Sequence, residues 1–89
     1  MSSSALAIDA RVAAARIEAD QLVVDLLDGR TIAAPLAWFP RLEGATDEQR
    51  ANIEIAGGGH GLHWPDVDED LSVEGLLRGT RAVAGRFAP

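Results

Sequence analysis

Two histidines, His60 and His63, stand three residues apart and are followed by Asp66, Asp68, Glu69 and Asp70. Imidazole and carboxylate are ligands of zinc and iron, so these side chains are the ingredients of a metal centre. Their arrangement argues against one. No HExxH pattern and no third histidine accompany them. If the short run around His63 is a strand, its side chains alternate and His63 and Trp64 point to opposite faces. His60 then reads as an exposed loop residue. His63 reads as a ring packed beside Trp38 or Trp64, bonded to a backbone carbonyl.

Asp66-x-Asp68-x-Asp70 copies the first half of a calcium loop. Counted from Asp66, the glycine required at the sixth position is Leu71 and the glutamate required at the twelfth is Leu77. Gly57-Gly58-Gly59 does not cradle phosphate in the P-loop manner, because the chain has no lysine to follow it. The Gly57-x-Gly59-x-Gly61 run leads into Leu62-His63-Trp64-Pro65 rather than a helix, which removes the dinucleotide reading. Paired carboxylates invite a hydrolase, but 89 residues leave little room for a deep cleft. With no cysteine, and with Ser72 better placed as a helix cap than as a nucleophile, no catalytic residue is assigned. No cofactor is expected.

Charge is more informative. The net charge is −6, from fourteen acids against eight arginines. Between Glu43 and Leu77 there are nine acids and one base, Arg50. Phosphate backbones are bound by Lys and Arg, so this middle region disfavours nucleic acid and favours a basic partner. Three arginines, Arg78, Arg81 and Arg86, close the chain and keep a nucleic-acid role as the alternative. The absence of cysteine fits a reducing cytoplasm. No leader is expected from MSSSALAIDA, and no apolar run approaches the roughly 18 residues of a membrane span. One domain of this size has little spare stability, which makes a homodimer a reasonable expectation.

The elements that position these groups follow from pattern. Residues 1–9 read as a flexible lead-in and 80–89 as a loose tail, leaving 10–79 as a single domain. ARVAAARIE over 10–18 fits an edge strand, with helix as the alternative because of its alanines. A turn at Asp20-Gln21 leads into a central strand, Gln21 to Leu27, apolar on both faces except at Asp25. Asp28-Gly29 has the composition of a two-residue hairpin turn, which needs positive φ at both positions. The next strand, Arg30 to Leu36, ends at Pro35. The expectation is thus an α+β domain with an N-terminal three-stranded antiparallel meander. Trp38, Phe39 and Leu42 either anchor a short helix to that sheet or form an exposed aromatic spot. Pro40 suits the first turn of that helix, and Gly44 ends it. Thr46 and Gln49 have capping-box spacing for a second helix. Ile53 and Ile55 mark a short strand at 52–56, and the triple glycine marks a turn or bulge. Leu62 to Trp64 marks another strand, closed by Pro65. Residues 70–73 form either a last strand or the entrance to a helix that Ser72 caps and Gly79 stops.

Three stretches carry a resemblance: LVVDLLDGRTIAAPLAWFPRL at 22–42, ATDEQRANIEI at 45–55 and GLHWPDVDEDLSVEGLLRG at 61–79. Together they resemble the DUF2442 family of small bacterial proteins. Leu71 stands where isoleucine is commoner, a change without chemical consequence. The resemblance implies a compact α+β domain with strands first and short helices later. In some members a helix-turn-helix follows this domain, and the ten residues after Gly79 are too few for one. Members are often encoded beside a small DUF4160-type companion in an arrangement like a toxin–antitoxin pair. The family brings no catalytic residues with it.

The resulting expectation is a non-enzymatic protein-binding module whose acidic face docks a small basic protein, in the manner of an antitoxin. Its candidate contact residues are Asp66, Asp68, Glu69, Asp70, His63 and Trp64. No specific metal site is expected. Calorimetric titration of the tag-free protein with zinc and with calcium should give no saturating one-to-one isotherm. A micromolar site lost in His63→Ala or Asp66→Ala would reverse this reading.

Overall fold

The computed structural model describes residues 8–80. The expected lead-in over 1–9 and tail over 80–89 therefore lie largely outside the described residues.

Among the described residues six strands form two antiparallel meanders. The first contains β1 (Val12–Glu18), β2 (Gln21–Leu26) and β3 (Thr31–Pro35) in that order. The second contains β4 (Glu54–Ala56), β5 (Gly61–Trp64) and β6 (Glu69–Ser72) in that order. Between them lie two short helices, α1 (Pro40–Glu43) and α2 (Asp47–Ala51), and α3 (Val73–Arg78) follows β6. The α+β class and the N-terminal meander are as the pattern implies. Among the described residues no helix is long and apolar enough to cross a membrane.

Alternation sorts the residues of the first sheet. Val12 faces Leu26; Ala15, Val24 and Ile32 form one row; Ile17, Leu22 and Ala34 form another. These rows pack into the core with Leu36, Phe39, Leu42, Leu62, Trp64, Val73 and Leu76. The alanines of this stretch favour helix, and the spacing of Val12, Ala15 and Ile17 is not a strict period of two. A β-bulge between Val12 and Ala14 takes up the extra residue and returns all three to one face. On the opposite face Val23 is also buried, between Arg16 and Ala33 in register. The central strand is therefore covered on both sides.

Two turns differ from their sequence signals. The first hairpin closes through Ala19 and Asp20, not Asp20-Gln21, because Glu18 pairs with Gln21. Both turn residues have positive φ, 48° and 63°, as a type I′ turn demands. The Asp28-Gly29 hairpin is a three-residue loop. The Gly29 amide donates to the Leu26 carbonyl and the Leu26 amide to that of Arg30, with only Gly29 at positive φ. This is a type I turn followed by a glycine bulge. The Asp28 side chain holds it, accepting from the amides of Asp9 and Arg30.

The helix signals are as expected. Pro40 opens α1. Thr46 and Gln49 form a reciprocal capping box on α2, and the Ser72 hydroxyl accepts from the Gly75 amide at the start of α3, which Gly79 closes. Phe39 and Leu42 are fully buried and Trp38 packs partly buried against the core, which settles their role as anchors. The triple glycine is a 3-10 turn in which Gly59 meets the first sheet. A Cβ there would come within 2.9 Å of the Arg11 Cβ at a φ of 102°, so glycine is required for close approach.

The Ala19-Asp20 turn carries left-handed backbone without glycine. Giving it the asparagine–glycine pair that such turns favour, through Ala19→Asn together with Asp20→Gly, should raise stability by about 1 kcal/mol, because each non-glycine left-handed residue is disfavoured. Urea denaturation of parent and variant measures the gain.

Candidate functional site

The candidate residues lie on the second sheet and the β5–β6 hairpin. Register splits them between two faces. His63 lies between Glu54 on β4 and Asp70 on β6, and the three form a row on the sheet's outer face. Trp64 and Glu69 are the neighbouring pair and point inward. Trp64 is fully buried and Glu69 is only 7% exposed.

On the outer face, the His63 Nδ1 and the Asp70 Oδ1 are 2.7 Å apart. The backbone carbonyl expected as the partner of His63 is replaced by this carboxylate. The hydrogen bond to Asp70 raises the imidazole pKa, aided by the charges of Glu54 and Asp68 and opposed by partial desolvation. His60 is exposed, as expected.

The hairpin turn carries Asp66 and Asp68, both exposed. Asn52 donates its side-chain amide to Asp66 at 3.1 Å. Asp68 takes a φ of 54°, and its carbonyl accepts from the Arg41 guanidinium at 2.7 Å. Val67 packs partly buried against the core. Asp66 and Asp68 thus project from a turn pinned by one apolar residue and by the side chains of Asn52 and Arg41, and Asp70 stands just past it on β6.

Glu69 corrects the expectation of four outward carboxylates. Alternation sets it opposite Trp64, so its carboxyl enters the core. One oxygen lies 3.8 Å from the Arg41 guanidinium, and the other, Oε2, has no hydrogen-bond partner. Burial raises its pKa, with Asp70 and Asp68 adding repulsion and Arg41 opposing. Neither Glu69 nor Trp64 offers itself to a partner in this conformation.

Arg50 is the basic residue that sequence reasoning left unplaced. Its guanidinium donates to the carbonyls of Leu42 and Glu43 at the end of α1, and its own carbonyl accepts the Trp64 indole N–H at 3.0 Å. The single base of the acidic middle is consumed in holding the fold. Among the described residues no three His, Asp or Glu side chains are grouped to hold a metal ion.

The shifts at Glu69 and His63 have one sign. Each folded pKa lies above its ordinary value, 4.5 for Glu69 and 6.5 for His63. Each therefore contributes stability that is complete below that value and is lost as pH rises through the folded pKa. Melting temperature should fall between about pH 5 and about pH 8. Glu69→Met should be more stable than the parent by about 1 kcal/mol at neutral pH, because a buried charge with an unpaired oxygen is replaced by an apolar side chain. Thermal and urea melts across this range read both effects. A variant less stable than the parent at the alkaline end would show that the Arg41 contact outweighs the burial cost.

The comparisons with known proteins agree with this architecture. The family described as "Protein of unknown function (DUF2442)" matches residues 12–82. A crystal structure of a protein of unknown function from Rhodospirillum rubrum is 41% identical, with a TM-score of 0.75 over 88% of this chain and 96% of that one. The solution structure of an uncharacterised protein from Chromobacterium violaceum is 29% identical, with a TM-score of 0.71 over 83% of this chain and 70% of that one. No curated protein matches the chain. With the match running from the first strand through the last helix, the chain belongs to the DUF2442 family.

Proposed function

We propose that this domain is a non-enzymatic protein-binding module that docks a small basic protein on the β5–β6 hairpin, in the manner of an antitoxin acting in the cytoplasm. The observation that carries this reading is the exposed trio Asp66, Asp68 and Asp70, the first two on a pinned turn and the third on the strand that follows it. Three carboxylates so close together repel one another in the free protein, and a cationic partner relieves that repulsion. His63 sits beside them, paired with Asp70. Arg50 cannot neutralise the face from within, because its guanidinium caps α1.

Among the described residues the ion pairs also weigh against nucleic acid. Arg11, Arg16, Arg30, Arg41, Arg50 and Arg78 each lie within 4.0 Å of a carboxylate of the same chain. Engaging phosphate would mean exchanging one pairing for another, with little counterion release to favour it.

Where a small basic protein is encoded beside its gene, co-expression of the two tests the proposal. The two should co-purify at low salt. Replacing Asp66, Asp68 and Asp70 by asparagine should leave the circular dichroism unchanged and slow association roughly tenfold or more, with the parent's rate falling as salt rises. Equal binding by parent and variant at every salt concentration would remove the hairpin as the docking surface.

A further inference from the structure

We infer that the open edge of β1 is a second docking site, which takes an extended basic segment of a partner protein by strand addition. At seven residues β1 is the longest strand among those described, and it lies at the edge of its sheet. The two-residue turn makes Glu18 and Gln21 a hydrogen-bonded pair, so Arg16 with Val23 is the next such pair along the ladder. The amides and carbonyls of Ala15 and Ile17 consequently point away from β2. Among the described residues, no backbone bond from another element reaches them.

Edge strands are usually guarded by charged side chains, lysine above all, by proline, by a bulge or by a covering element. Here the exposed strand has no lysine or proline, its charges Arg16 and Glu18 are spent on each other at 2.7 Å, and its bulge lies at the far end, between Val12 and Ala14. Beside the edge runs a groove of about 300 Å³, with Ala15 and Ile17 on one side. Asp47, Arg50 and Ala51 of α2, with Ile53, line the other. This volume is at the lower end of ligand pockets, which suits a single chain segment and not the edge of a folded sheet. Unpaired backbone donors and acceptors beside apolar side chains are the features by which a sheet edge recognises an extended peptide.

Charge selects among such peptides. Arg16, which also lines the groove, is held by Glu18 and Asp25 at 2.7 and 2.8 Å, and Arg50 is held by Asp47 and the α1 carbonyls. Two arginines thus face three carboxylates. The surplus is negative, so the occupant is a segment with arginine or lysine alternating with small apolar residues. This charge preference shares its basis with the basic partner proposed for the hairpin; the edge geometry does not.

The test uses the full chain and an end-blocked peptide of alternating arginine and valine. In the free protein the amides of Ala15 and Ile17 should exchange rapidly with deuterium. With peptide they should become protected and show the largest shifts in a nitrogen–proton spectrum. An alternating glutamate–valine peptide and an N-methylated copy should bind at least tenfold more weakly. Ala15→Pro removes an outward donor at an edge that tolerates proline. Ala51→Trp fills the groove from α2 and leaves the strand's own residues and backbone donors unchanged. Either should weaken peptide binding at least tenfold, while the asparagine variant of the hairpin retains it. Shifts confined to Asp66–Asp70, no shifts at all, or unchanged binding by Ala51→Trp would overturn the edge site. The first of these would leave the hairpin proposal standing.

Discussion

The indole of Trp64 is the constraint around which the two sheets are joined. It is among the largest side chains and is wholly buried, so its ring nitrogen has to find an acceptor inside the protein. That acceptor is the Arg50 carbonyl. The same residue's guanidinium satisfies two carbonyls at the end of α1. One residue therefore links β5, α1 and α2, and the link is polar while its surroundings are apolar. Truncating a buried tryptophan costs about 3–5 kcal/mol, a large share of what a domain of this size can hold. The placement of the acidic hairpin depends on this anchor, because Trp64 is the last residue before the turn.

Much of the fold was legible because local signals agreed with it. Thr46 and Gln49, Ser72 and Gly79, and Pro40 each specify a helix end through one or two hydrogen bonds or a fixed φ, and such effects need no tertiary context. The strands were legible from their apolar runs. What was not legible has a common cause. The bulge near Ala13 and the type I′ turn at Ala19-Asp20 are fixed by register against β2, which a single strand's sequence does not contain. Asp28-Gly29 has the right residues for two turn types, and the pairing chose the longer.

The candidate site was legible in composition and not in orientation. Asp66, Asp68, Glu69 and Asp70 are chemically alike, yet β6 begins at Glu69 and imposes alternation on the last two. The period of two could have separated Glu69 from Asp70 had the strand's start been known. His63 and Trp64 were separated by that same argument. The Glu54–His63–Asp70 row needed the pairing of three strands to be seen, since its members span residues 54–70 in the chain.

Helix α2 shows how little of this region rests on hydrophobic burial. None of its residues is buried, and five residues are far too few for a helix to persist on propensity alone. It is held by polar bonds at both ends: the capping box at Thr46 and Gln49, and the Arg50 contacts to α1 and Trp64. Such a helix contributes little to the core but fixes its surroundings. Asn52, just past its end, steadies Asp66 on the hairpin, and Ala51 and Ile53 line the groove along β1. The two surfaces proposed for partners therefore share one small element, whose rigidity comes from hydrogen bonds and not from packing. Because polar bonds near the surface are individually worth about 1 kcal/mol, this element sits at the low-stability end of the molecule, where binding surfaces are commonly drawn.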